Sequence, residues 1–282
     1  MFGFLNINKP KGMTSHDVVA ILRRITHIKQ IGHTGTLDPF ATGVLPVCIG
    51  KATRLIEYLG DDKGYIADIQ FGANTDTYDR DGQITKTFDK KFEFTEFENI
   101  LKGFTGEIEQ LPPMYSAIKL NGKKLYEYAR KGETVEVKPR KVVISDLKIL
   151  DFDCAKQTAK LAILCKSGTY IRSLAFDIGK KLETGAYLTE LQRTKSAEFD
   201  IKNSLDLENL TLEKIEKNLI NPVEILDIPM INADDKELKL IKNGMPISKL
   251  TADGFVGLVY NHELCAVGQA QRNSIKMKKV LL

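Results

Sequence analysis

One carboxylate stands out for its setting. Asp38 lies in Gly32-His33-Thr34-Gly35-Thr36-Leu37-Asp38-Pro39-Phe40-Ala41-Thr42-Gly43, which places three glycines in twelve residues. Glycine at that density marks a loop whose backbone bends sharply or is closely approached. The position before Pro39 disfavours helix and holds Asp38 extended. Val44-Leu45-Pro46-Val47-Cys48-Ile49 follows and ends at Gly50, a short apolar run that reads as a buried strand. A carboxylate on a stiff loop beside a buried strand suits a nucleophile or a general base, because both need rigid support. The plain alternative is an Asp-Pro turn whose side chain bonds nearby backbone N–H groups.

A second group of interest is Arg172, in Lys166-Ser167-Gly168-Thr169-Tyr170-Ile171-Arg172-Ser173. Gly168 permits a tight turn there, and an arginine so close to apolar neighbours needs a partner. Any carboxylate could serve. Between 110 and 141 the bases Lys119, Lys123, Lys124, Arg130, Lys131, Lys138, Arg140 and Lys141 outnumber three acids, with Tyr115, Tyr126 and Tyr128 interleaved. Cations for phosphates and aromatics for bases are the ingredients of an RNA-contacting element, although a solvated charged hairpin has the same composition.

The elements that must position these groups follow from periodicity. Phe4 to Ile7 alternates as a strand and stops at Lys9-Pro10-Lys11-Gly12. Thr14 offers an N-cap with Asp17 three residues on, and Val18, Ile21, Leu22 and Ile25 predict a helix from about 15 to 26. Ala52, Leu55, Ile56 and Leu59 outline a second helix. Thr95 and Glu98 form a capping box for a third, through Phe97, Leu101 and Phe104. Residues 64–72, 142–149 and 161–165 read as strands, and the acidic stretch 74–82 as a loop closing a hairpin. It fails as a calcium loop, because Thr77 and Phe88 stand where acidic ligands are required. After residue 230 the pattern restarts: Asp234 and Glu237 cap a helix that Asn243-Gly244 stops, and short strands follow.

Composition bounds the class. The chain has 282 residues, 43% hydrophobic, with a net charge of +4 and a pI near 8.7, mildly basic and compatible with an RNA partner. The four cysteines form no CxxC pair and the four histidines show no metal-ligand spacing. The start of the chain lacks a signal h-region and no stretch approaches a membrane span, so a cytoplasmic protein is expected.

The string around Asp38 resembles, almost without a gap, the catalytic-aspartate motif of the TruB family of tRNA pseudouridine synthases. Further stretches resemble the same family in its order: Lys9-Pro10-x-Gly12-x-Thr14-Ser15; Thr75-Asp76-Thr77-x-Asp79-x-x-Gly82; Pro112-Pro113-Met114-Tyr115-Ser116-Ala117-x-Lys119; Gly168-Thr169-Tyr170-Ile171-Arg172-Ser173; and Gly185-Ala186-Tyr187-Leu188-x-x-Leu191-x-Arg193. The resemblance spans about residues 4 to 200. It implies an α+β pseudouridine synthase fold: a mixed, mostly antiparallel sheet flanked by helices around an RNA-binding cleft. Residues 1–228 would form the catalytic domain, with a basic RNA-gripping insertion at about 110–141, and 229–282 a short PUA-like RNA-binding domain.

The resemblance also implies the chemistry, isomerisation of uridine 55 in the T-loop of tRNA. Asp38 is the essential carboxylate, attacking the sugar C1′ or base C6 or starting elimination to a glycal. Arg172 pairs with it and keeps it ionised. Tyr65 stacks on the uracil, Tyr170 and Leu191 line its pocket, and His33 contacts the RNA loop left open by the flipped base. Lys9, Lys119, Lys123 and Arg130 complete the RNA-binding set, the Lys9 segment also bracing the catalytic loop. No cofactor and no metal are implied, since the reaction involves no redox change. The expected partner is the tRNA T-arm stem-loop alone, with no membrane, no obligatory protein partner, and the chain a monomer. Two alternatives are a non-catalytic RNA-binding or tRNA-folding protein on the same scaffold, and a glycosidase or phosphotransferase with an aspartate nucleophile. A glycosidase needs a second carboxylate about 5–10 Å away, and the sequence shows no partnered carboxylate motif.

Overall fold

The apolar runs become strands, and the capped periodic segments become helices, in a computed structural model that describes residues 1–133 and 135–282. Thr134, inside the basic insertion, lies outside the described residues. In chain order the elements are β1 (Gly3–Lys9), α1 (Ser15–Thr26), β2 (Ile31–His33), β3 (Thr42–Ile49), β4 (Asp62–Phe71), β5 (Ala73–Thr75), β6 (Ile84–Thr87), α2 (Phe94–Leu101), β7 (Gly106–Gln110), β8 (Lys119–Leu120), β9 (Lys123–Lys124) and α3 (Leu125–Ala129). There follow β10 (Arg140–Asp153), β11 (Thr158–Lys166), α4 (Ile171–Leu182), β12 (Ala186–Ser196), β13 (Phe199–Asp200), β14 (Leu205–Asp206), α5 (Leu212–Lys217), β15 (Met230–Asn232), α6 (Asp235–Lys242), β16 (Ile247–Ser248), β17 (Gly254–Tyr260), β18 (Glu263–Gln271) and β19 (Ser274–Val280).

The chain divides into two units, one made of residues 1–38, 44–60 and 197–282, the other of 39–43 and 61–196. In the first, β1 lies between β14 and β3, with β2 antiparallel on β3. Val44, Cys48 and Leu55 pack with Phe4, Phe199, Val259, Leu264 and Leu281 in one apolar core. A five-stranded sheet, β15-β17-β18-β19-β16, completes this unit, and its other face buries Ile241 of α6 with Val256, Leu258 and Ile275. In the second unit the order is β12-β4-β11-β10-β7, antiparallel throughout. Thr42 and Gly43 pair in parallel with Gln192 and Arg193 of β12. A Cβ at Gly43 would collide with the Arg193 carbonyl, and its φ is +101°, so this pairing requires glycine.

The helix over 15–26 forms as its spacing predicts, with a reciprocal Thr14–Asp17 capping box. The second expected helix does not. Residues 50–54 and 56–58 are two 3-10 turns. Buried Ala52, Leu55 and Tyr58 recur every third residue, the period of a 3-10 turn. Thr53 Oγ1 also donates to the Gly50 carbonyl at 3.0 Å, competing with a regular helical ladder. The third helix starts before the expected capping box: Glu93 is its N-cap, with no side-chain cap bond, and Thr95 is already helical. The earlier start puts Phe97 and Leu101 on one buried face, where Phe97 meets Phe71, Phe92 and Phe152. The acidic stretch closes a hairpin, as expected, by pairing β5 with β6.

Candidate active site

In the first unit the Asp38 loop is held at both ends. His33 pairs with Val47 across β2 and β3, and Thr34 N donates to the Pro46 carbonyl at 3.0 Å. Farther along, Leu37 is fixed to the start of α1. The Ser15 hydroxyl accepts from Leu37 N at 2.8 Å and donates to the Leu37 carbonyl at 3.3 Å. Ser15 and Leu37 are buried, whereas Asp38 itself is half-buried, so the carboxylate follows directly on an anchored residue. The capping box at Thr14 sets where α1 begins and so where the Ser15 hydroxyl points.

Lys9 belongs to this bracing and not to an RNA-facing surface. Its side chain is wholly buried, and its ammonium donates to the carbonyls of Pro10 at 2.9 Å and Met13 at 2.6 Å. A buried ammonium satisfied by carbonyls of its own turn fixes that turn, and solvent-side phosphates cannot reach it. The expectation that Lys9 contacts RNA is corrected on this ground; the brace expected of its segment is present.

In the second unit α4 carries Arg172 in its first turn, buried with 5% exposure. Nη1 donates to the Thr77 carbonyl at 3.3 Å and to Asp79 Oδ2 at 3.4 Å, and Nη2 donates to the Tyr115 carbonyl at 2.9 Å. Asp79 is equally buried, and its other oxygen accepts from Thr77 Oγ1 at 2.6 Å and Asp81 N at 3.1 Å. One helical turn on, the Phe176 ring stacks on Tyr78 with centroids 4.2 Å apart, so two side chains from one face of α4 grip the 76–82 loop. Tyr78 takes a φ of +62°, a left-handed conformation that this packing sustains.

Asp79 was not singled out from the sequence. Its signal lay in Thr-Asp-Thr-x-Asp, where a hydroxyl two residues before an aspartate can bond it locally and free the other oxygen for a cation. Gln110 was missed as well. It is buried, accepts from Tyr170 N at 2.8 Å and donates to the Tyr170 carbonyl at 3.0 Å, fixing the residue before α4. Ser173 Oγ donates to the Leu111 carbonyl at 2.7 Å, adding a second tie between α4 and the start of the insertion.

Tyr65 of β4 lies opposite Arg193 of β12, and Leu191 lies opposite Ala67. Directly opposed residues of an antiparallel pair project to the same face, so Tyr65, Leu191 and Arg193 share one side of the sheet. Tyr65 and Tyr170 are half-buried, and Leu191 and Arg193 are buried. Near the start of β4, Lys63 Nζ donates to Ser196 Oγ at 2.7 Å. Burial, reinforced by the neighbouring Arg193 charge, lowers the Lys63 pKa from 10.5 to about 8.

In the basic insertion, Asn121 and Gly122 turn β8 into β9 with φ of +51° and +83°, the two left-handed positions a tight hairpin needs. Lys119, Lys123 and Arg130 are exposed. Two of the three tyrosines, all half-buried, already carry cations against their rings. Lys124 Nζ and the Arg130 guanidinium lie 5.4 and 5.3 Å from the Tyr126 ring centroid, and Lys123 Nζ lies 5.9 Å from that of Tyr128. Among the described residues no set of three His, Cys, Asp or Glu could hold a metal ion. Among them, too, no helix is long and apolar enough to cross a membrane.

Comparison with known proteins gives this geometry its context. The N-terminal domain model of the TruB family pseudouridylate synthases matches residues 23–171, and the model of the tRNA pseudouridylate synthase B C-terminal domain matches 172–226. The chain is 40% identical over 291 aligned residues to the tRNA pseudouridine synthase B of Clostridium tetani, covering all of both chains. It is 43% identical to that of Caldanaerobacter subterraneus, covering 99% of this chain and 98% of the relative. Among solved structures, a Cbf5-Nop10-Gar1 complex contains a chain that is 26% identical, with a TM-score of 0.75 over 100% of this chain and 85% of that one. An H/ACA RNP bound to a substrate RNA containing 2′-deoxyuridine gives 25% identity and the same TM-score of 0.75.

Proposed function

The chain belongs to the TruB family of pseudouridylate synthases, and from that premise we propose that it isomerises uridine 55 in the T-loop of tRNA to pseudouridine. The observation that carries this reading is similarity along the whole chain to relatives named tRNA pseudouridine synthase B, which includes the Asp38 loop. The reaction breaks the C1′–N1 bond, turns the uracil and rejoins it through C5. The base must first leave its stack, which costs a few kcal/mol.

Asp38 is the reacting carboxylate in this reading, either as nucleophile at C1′ or C6 or as the base that starts elimination. Its support is the Ser15–Leu37 brace, since a misplaced carboxylate loses most of its effect. Arg172 supplies positive charge to the reaction and is itself oriented by Asp79 and the Tyr115 carbonyl. Tyr65 stacks on the flipped uracil, Tyr170 and Leu191 bound its pocket, and His33 contacts the opened T-loop. Lys119, Lys123 and Arg130 contact backbone phosphates.

Residues 229–282 act as a short PUA-like RNA-binding module, with exposed Lys276 and Lys278 on β19. The T-arm stem-loop is the substrate without an obligatory protein partner. The chain works as a monomer, without metal or cofactor, in the cytoplasm.

The test is tritium release from a T-arm stem-loop transcript labelled at uridine C5, with metal chelated, comparing the chain with Asp38→Asn. Release by the wild type alone, with RNA binding kept in the variant, is the expected result. Normal turnover by Asp38→Asn would refute the catalytic assignment.

A further inference from the structure

Two buried cations lie on the face of the sheet that carries Tyr65. Lys63 precedes Tyr65 by two residues on β4, so both side chains leave the same side of the strand, about 7 Å apart along it. Arg193 of β12 stands directly opposite Tyr65, and Ser196 directly opposite Lys63. A bulge between Arg193 and Lys195 adds one residue to β12, which is why positions three apart share that face. Lys63 and Arg193 are both buried. Burial first, and then the like charge of Arg193, lower the Lys63 pKa to about 8.

Among the described residues the Ser196 hydroxyl, 2.7 Å away, is the one hydrogen-bond partner of the Lys63 ammonium, and no carboxylate pairs with it. Asp61 and Asp62 act on it from a distance, because both are held by Lys166, at 2.7 and 2.9 Å. Cys165 faces Lys63 from β11, but burial pushes its thiol up to about 11, so it is neutral at pH 7. A buried charge without a counterion destabilises the fold. Beside a reacting base, such a charge suits a negative charge that arrives during the reaction.

The isomerisation supplies that charge. If C1′–N1 breaks by carboxylate attack on C1′, or by loss of the C2′ proton to the carboxylate, the bonding pair stays on N1 and spreads to O2 and O4. If the carboxylate adds to C6, a pair moves to C5 and O4 instead. On each route the ring passes from neutral to anionic. The charge is gone once C5 is bonded to C1′, the C5 proton has left and N1 holds a proton.

We propose that Lys63, together with Arg193, sets a positive field on the Tyr65 face that stabilises the anionic uracil while it turns. The proposal deepens the isomerase reading and rests on it, including the place it gives the base against Tyr65. Lys63 acts from beside Tyr65 without touching the ring, so it is a positioning residue.

The experiment measures kcat and KM for tritium release from the C5-labelled T-arm stem-loop, with the full chain and with Lys63→Met, between pH 6 and pH 10. At pH 7 the variant should lose about tenfold in kcat with KM within twofold, because the bound uracil is neutral before it reacts. The wild-type advantage belongs to the protonated amine. In kcat/KM, which reports the free enzyme, it should be full below about pH 8, shrink above it and vanish by pH 10. Urea melts of the same preparations check folding; if Lys63→Met does not fold, Lys63→Gln is scored by the same ratio. Equal kcat at pH 7 overturns the proposal. So does a deficit that persists unchanged to pH 10, which would mark lost packing or the lost Ser196 tie. Either result, with the wild type active, leaves the isomerase reading standing. No release by the wild type at any pH refutes that reading and this inference with it.

Discussion

Replacing Ser15 by alanine removes a side chain that ties α1 to the residue before Asp38, and its effect can be sized from the structure. The hydroxyl is buried and makes two bonds, accepting at 2.8 Å and donating at 3.3 Å, both with Leu37. Alanine is a good helix former, so α1 itself should persist. The Leu37 N–H is then left buried without its acceptor, at a cost of about 1–3 kcal/mol. Catalysis should suffer more than stability. A shift of about 1 Å at a reacting group costs about 100-fold in rate. Ser15 is buried, so tRNA affinity should stay at the wild-type value. Single-turnover tritium release at saturating enzyme, filter binding of the stem-loop and chemical denaturation give the three readings. A variant that loses about 1–3 kcal/mol of stability yet turns over within twofold of wild type would refute the claim that this brace positions Asp38.

Asp79→Asn removes the buried carboxylate 3.4 Å from the Arg172 guanidinium, so it should lower stability by about 1.5–3 kcal/mol, the range for a hydrogen bond to a charged group, and slow single turnover; unchanged values in denaturation and tritium release would exclude the pair as a support. Lys63→Met removes a buried amine whose pKa falls from 10.5 to about 8. The folded state loses that proton before the unfolded chain does, so burying the charge costs most below about pH 8 and the cost fades as pH rises to 10.5. The variant should therefore be more stable than wild type by about 3 kcal/mol at pH 7, offset in part by the lost Ser196 bond, with the gap closing by pH 10 in urea melts. Changing Lys119, Lys123 and Arg130 together to alanine should lower the slope of log affinity against log salt by about 0.7–0.9 per lost phosphate contact, read by filter binding across salt concentrations. An unchanged slope would remove these three from the RNA interface.

Local rules carried much of the fold. The reciprocal cap at Thr14 and Asp17, the apolar run 44–49 and the alternation at 64–72 each depend on neighbours within a few residues, and each became the element its pattern predicts. The segment 50–58 resisted because three-residue and 3.6-residue spacing differ little over two turns. At the candidate site the reacting types were visible as single residues. Their supports were not, because Ser15, Asp79 and Gln110 act on partners 22, 93 and 60 residues away. Lys9 shows the opposite error: a lysine in Asn8-Lys9-Pro10-Lys11 looks solvated until its turn folds over it.

The discontinuous make-up of the first unit bears on how the protein emerges from the ribosome. The segment 61–196 is continuous and needs only residues 39–43 from elsewhere, so its sheet can form while synthesis proceeds. The unit that carries Asp38 cannot. Phe4 pairs with Ile220, Ile7 with Leu205, and Lys51 donates to the Leu281 carbonyl at 2.9 Å. The first 60 residues must wait for the last 86, counted from 197 to 282, before their core can close. Such distant pairing slows folding. A chain that stops before residue 197 lacks the strand and core residues on which β1 and β3 pack, so the unit that carries Asp38 stays incomplete however far the 61–196 segment has advanced.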